Sequence, residues 1–146
     1  MGAWDTGVFD NDGAGDCLLD VQQNGSSIKE QINYIQTTWS EEGYMEVDEG
    51  SAILALGELI LIASGIRPVH PITETIDFGI VKSQLNPTLI SQVAGLIRVA
   101  LNSDNNDASE VYELWKEADA RDFAAWKKTG EDILHQVENL DLKIRT

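Results

Sequence analysis

Asp10-Asn11-Asp12-Gly13, followed closely by Asp16, gathers carboxylate oxygens of the kind that a hard cation such as calcium requires. The spacing does not complete a calcium loop. Counting from Asp10, the final loop position falls on Val21, and counting from Asp104 it falls on Trp115, where a bidentate glutamate is needed. The segment therefore reads as a polar turn leading into a helix N-terminus. Nucleophilic catalysis would need Cys17 or a serine beside His70 or His135, and neither a nucleophile elbow nor a cysteine-protease signature surrounds them. Cys17 reads as a small core residue, and His70, between Pro68 and Pro71, as part of a connector. Glu58 is the one ionisable residue inside the most apolar stretch. Burial there would raise its pKa, and the expected arrangement is a gap between neighbours or a pairing with an arginine such as Arg98. Phosphate-binding glycine loops, zinc spacings and basic stripes are absent from the sequence. The expectation is a non-enzymatic protein with no catalytic residues, metal or cofactor.

Charge is the more informative chemistry. The 146 residues carry 25 acids against 10 lysines and arginines, a formal net charge of −15. Such a surface repels nucleic acid and anionic lipid and favours encounters with basic partners. The imbalance is uneven: residues 1–66 hold twelve acids and the single base Lys29, whereas residues 67–146 hold thirteen acids and nine bases. A basic partner should therefore meet the N-terminal half. Glu41, Glu42, Glu46, Asp48 and Glu49 form its densest patch, which reads equally as a solvated loop.

The longest apolar run, Ile53 to Ile66, contains Glu58 and Ser64 and is too short for a bilayer span of about 20 residues. The start of the chain has neither the basic nor the apolar region of a secretory signal, and a lone cysteine forms no internal disulfide, so a cytoplasmic setting is expected. Met1-Gly-Ala-Trp-Asp-Thr6 matches the loose N-myristoylation pattern, although one acyl chain on an acidic protein anchors only marginally.

The elements that must position these groups are helical. The opening, with Trp4 and Phe9, reads as an irregular arm over residues 1–11, pinned to the rest by its rings. Leu18, Leu19 and Val21 place a helix from about Asp12 to Gln23, ended by Asn24-Gly25. Ser27-Ile-Lys-Glu30 reads as a capping box, and Ile28, Ile32, Ile35 and Trp39 follow at helical spacing. Asp48 is the expected cap of a third helix reaching Ser64, apolar on nearly every side and hence central. A fourth helix is expected over Thr73 to Ser83, and Asn86-Pro87 opens a fifth. After the polar tract Asn102 to Asp107, Asp107-Ala-Ser-Glu110 reads as a further capping box before Val111, Leu114 and Trp115. A last stretch sets Phe123, Trp126, Ile133, Val137 and Leu140 on one stripe, with Gly130 in its interior costing about 1 kcal/mol relative to alanine. The chain thus reads as all-α, one domain over residues 1–146: a bundle of six or seven helices carrying an irregular N-terminal arm.

Met1-Gly-Ala-Trp4, then Thr6-Gly7, Phe9, Asn11-Asp12 and Asp16, resembles the start of a bacterial family known as domain of unknown function 4259. Ser109-Glu-Val-Tyr-Glu-Leu-Trp-Lys-Glu117 with Ala125-Trp126 resembles its C-terminal pattern, so the likeness covers most of the chain. The sequence departs from that pattern at Asp5, where glycine is usual, and at Cys17, where an aromatic often stands. The resemblance implies a small, mostly helical protein without an assigned activity. Physically, Trp4, Gly7, Phe9, Asn11 and Asp12, with Trp115 and Trp126, fit a packing and capping role better than a binding site.

Together these readings lead to an acidic, immunity- or antitoxin-like protein that neutralises a basic toxin domain of the nuclease type. The alternative expectation is a self-associating structural or regulatory adaptor that forms a homodimer through an exposed apolar patch.

Overall fold

The computed structural model describes residues 7–25, 27–102 and 108–145. Trp4, the Met1–Thr6 pattern, Asp104 and Asp107 lie outside them. Among the described residues seven α-helices follow one another: α1 (Asp12–Gln23), α2 (Ser27–Glu42), α3 (Val47–Ala63), α4 (Phe78–Ser83), α5 (Pro87–Ala100), α6 (Glu110–Glu117) and α7 (Ala120–Arg145). A single 3-10 turn, Pro71–Thr73, precedes α4, and no strand occurs among the described residues. The protein is an all-α bundle.

Its centre is α3, which packs against all six other α-helices. Ile53, Leu54, Leu56, Leu59, Ile60, Leu61 and Ile62 are all buried, so the helix hides nearly its whole circumference, as an all-round apolar sequence requires. On α2, Ile28, Ile32 and Ile35 point inward, and α5 adds Leu89, Ile90, Val93, Leu96 and Ile97. The α7 stripe buries Trp126, Ile133, Val137 and Leu140, with Phe123 half-buried beside them. Gly130 sits where α7 meets the end of α5: a Cβ there would run into the Leu101 side chain, so close packing explains the glycine that helix propensity disfavours.

Cap chemistry sets most boundaries and corrects several expectations. Asn11 caps α1, accepting from Ala14 N at 2.8 Å, and Asn86 caps α5, accepting from Leu89 N at 2.9 Å. Ser27 is not a cap; it is the first residue of α2, and its hydroxyl accepts from Gln31 Nε2 at 3.3 Å. The cap of α3 is Glu46 rather than Asp48, which lies in the first turn. Glu46 N donates to Glu49 Oε1 at 3.1 Å, a capping-box bond that starts the helix before Asp48. The expected helix over Thr73 to Ser83 is split. Thr73 closes the 3-10 turn, its hydroxyl donating to His70 O at 2.7 Å, and Asp77 opens α4 by accepting from Gly79 N at 3.0 Å. Ser109 caps α6 through a bond from Tyr112 N at 3.3 Å, and Asp107 of the expected capping box lies outside the described residues. Asp119 accepts from Arg121 N at 2.8 Å at the start of α7.

Candidate functional site

A groove with a volume of about 360 Å³ opens between α1, α2 and the start of α3. Asp16 and Asp20 stand on its α1 wall, Glu30 and Tyr34 on its α2 wall, and Asp48 and Glu49 at its α3 end, above a floor that includes Cys17, Ile35 and Ala52. Among the described residues no lysine or arginine lines it. Each wall follows from helical spacing: Asp16 and Asp20, like Glu30 and Tyr34, are four residues apart and share a helix face. The like-charged pair on α1 costs that helix a few tenths of a kcal/mol in isolation, roughly 0.2–0.5.

Gly13 lets the walls meet. A Cβ there would lie 2.8 Å from Asp48 O and 2.9 Å from Ser51 Cβ, so α1 touches the α3 backbone where any side chain would hold the helices apart. Gln31 Nε2 reaches Cys17 O at 3.5 Å and draws α2 toward α1. Burial pushes the Cys17 thiol up to about 12, with the neighbouring Asp20 charge acting in the same direction. At neutral pH this sulfur is a thiol, a poor nucleophile and metal ligand, and it serves as part of the apolar floor.

Burial also raises the Glu49 carboxyl; the bond from Glu46 N opposes this, and the charges of Glu46, Glu42 and Asp48 add to it. These acids therefore share one field. Of the patch read from sequence, Asp48 and Glu49 line the groove, Glu46 is exposed at the helix cap, and Glu41 and Glu42 occupy the exposed last turn of α2 outside the lining. Asp20 and Tyr34 have no role in the sequence reading, Asp16 enters it only through the incomplete calcium loop and the family motif, and Glu30 only through a capping box, although the four-residue spacings mark shared helix faces.

The other sequence candidates take up separate positions. Glu58 is held by Arg67, whose Nε lies 3.4 Å from Glu58 Oε1 and whose Nη2 pairs with Asp132 of α7. This replaces the expected partner Arg98, which pairs with Glu138 at 2.7 Å. The chain turns back after α3 and brings Arg67 to that helix's own flank, whereas Arg98 faces α7. Burial raises the Glu58 carboxyl, and Arg67 offsets part of the shift. His70 Nδ1 accepts from Ile72 N at 3.2 Å, and its ring meets Phe9 edge-on at 5.2 Å. His135 lies on exposed α7, its Nε2 3.4 Å from Asn139 Nδ2. Among the described residues no group of three or more His, Cys, Asp or Glu side chains is arranged to hold a metal ion. No helix there is long and apolar enough to cross a membrane.

Trp4 lies outside the described residues; the described motif residues sit at packing and capping positions. Phe9 is buried, Asp10 N donates to Gly7 O at 3.1 Å, and Asn11 ties Val8 O to the start of α1, with Asp12 in the first turn. Trp115 and Trp126 stack at 5.9 Å with planes 14° apart, and Tyr112 meets Trp126 edge-on, fixing α6 to α7.

Neither the curated proteins nor the solved structures contain a match to this chain. One family model matches residues 2–129, spanning both the arm motif and the α6–α7 tryptophans. The chain belongs to the family described as Domain of unknown function (DUF4259).

Proposed function

We propose that this protein is a non-enzymatic acidic binding protein of the immunity or antitoxin type, which neutralises a basic, nuclease-type toxin domain by covering its cationic surface. The observation that carries this reading is where the acids sit. A helix C-terminus is the negative end of the helix dipole and favours cations. Yet α1 has Asp20 in its last turn, α2 ends in Glu41-Glu42, and neither helix has a basic residue there. Such placement weakens the isolated fold, and an incoming cationic surface would reverse the sign of the effect. Local rules are broken in this way where function requires it. Complementary charge would also steer and accelerate the encounter.

The test is affinity capture of the tagged protein from its native lysate at low and high salt, beside a variant carrying lysine at Glu41, Glu42, Glu46, Asp48 and Glu49. The expected result is one basic protein retained in near-equal amount at low salt and lost both at high salt and from the variant. Recovery of the bait with only its own untagged copies would overturn the reading in favour of a self-associating adaptor.

A further inference from the structure

We infer that the groove between α1, α2 and α3 receives one face of a basic amphipathic helix of the partner, an apolar side chain seated on the floor and lysines or arginines on the rim. The inference rests on the basic-partner reading and adds the form in which the partner is presented. A face that bound by charge alone would need no cavity, yet here a space of about 360 Å³ lies beneath the acids. Its size falls at the small end of anchor pockets, which hold apolar groups oriented by a few polar contacts. The floor is apolar at Cys17, Ile35 and Ala52, and Tyr34, 66% exposed, offers a ring face on the wall. Tyrosine so placed provides contact area at low entropic cost and attracts cations to its ring. The rim acids stand on three different helices with no cation among the lining residues, so the charge that complements them must come from outside.

Helical presentation follows from the walls. Among the described residues the groove has no strand edge for an extended peptide to pair with, and helix packing offers ridges and grooves that a further helix can enter. Apolar anchors three or four residues apart would reach the floor while cations on either flank reach Asp16 and Asp20 on one side and Glu30 on the other.

The experiment is titration of the isotope-labelled full chain with two synthetic helical peptides of about 18 residues, long enough to hold helical structure. One carries leucines on one face and lysines on the other; the second keeps every lysine and replaces each leucine with glutamine. The leucine peptide should bind in equal stoichiometry and at least about ten-fold more tightly, because only it removes apolar surface from water. Amide shifts should centre on Gly13, Cys17, Tyr34 and Ala52. Ala52→Trp, which fills the floor, should abolish the preference between peptides, and Tyr34→Ala, at an exposed position that folding tolerates, should reduce it several-fold. Equal affinity for both peptides, with shifts dispersed over the acidic surface, would overturn the groove inference and leave the basic-partner reading standing. Failure of both peptides to bind at low salt would overturn the two together.

Discussion

Val47 N of α3 donates to Glu110 Oε1 of α6 at 2.8 Å, so the first turn of one helix is completed by a side chain from the first turn of another. The same connector is bridged by Met45 N to Ala108 O at 2.7 Å and by Glu110 N to Met45 O at 2.9 Å. Tyr44 OH adds a bond to Glu113 Oε2 at 3.1 Å. The α2–α3 junction, which carries the acidic patch, is thereby held against the C-terminal half. Glu110→Ala should remove about 1–2 kcal/mol of stability, because a half-buried N–H at a helix start loses a charged acceptor. Urea unfolding measures this; an unchanged midpoint would show that water replaces the carboxylate without cost.

Glu41→Lys and Glu42→Lys should each stabilise the free protein by about 0.3–1 kcal/mol at low salt while weakening capture of a basic partner. The gain should shrink as salt screens the helix end. Thermal melts of the two variants at low and high salt check the first effect, and the capture assay checks the second. Loss of stability in both variants would show that these acids make favourable contacts within the fold.

Stability should rise as pH falls from neutral toward the ordinary carboxyl range. Burial lifts the folded-state pKa values of Glu49 and Glu58 above the ordinary carboxyl range. Ionising them therefore costs stability, fully so above the raised values, and the cost disappears as pH falls through those values toward the ordinary range. Around Glu58, Asp132 acts with burial, whereas Arg67 and His70 act against it. Melting temperatures across this interval for the native chain and for Glu58→Gln should show a smaller rise in the variant. A fall in stability over the same interval would contradict the assignment.

Gly13→Ala should be destabilising although alanine has the better helix propensity, a gain of up to about 1 kcal/mol that is smaller in the first turn of α1. The new methyl meets backbone rather than a movable side chain, and overpacking of this kind costs about 1–3 kcal/mol. Chemical unfolding measures the balance; a stabilised variant would mean that α1 can shift away from α3 without loss.

The bundle was legible wherever the local signal and the tertiary outcome coincide. The apolar circumference of α3 required burial on every side, and Asn86 and Asn11 each satisfy a helix start with their own side chains. A boundary failed where a competing local cap won, as with Glu46 over Asp48. The break between the 3-10 turn and α4 was hidden because His70 and Asp77 act through side-chain bonds to backbone N–H groups that leave no periodic trace. Asp48 and Glu49 stood out by density along the chain. Asp16, Asp20 and Glu30 did not, because spacing marks a shared helix face but not which helices meet: Gly13 brings α1 onto α3, and the Gln31–Cys17 bond brings α2 to α1.

The central claim, a charge-steered encounter through the acidic N-terminal half, is tested most directly by the association rate of the protein with the basic partner recovered by capture, measured by stopped-flow across ionic strength. The expected result is a rate that falls by about ten-fold or more between low and high salt, with a flatter dependence for the five-lysine variant. A rate indifferent to salt and to those substitutions would contradict the account.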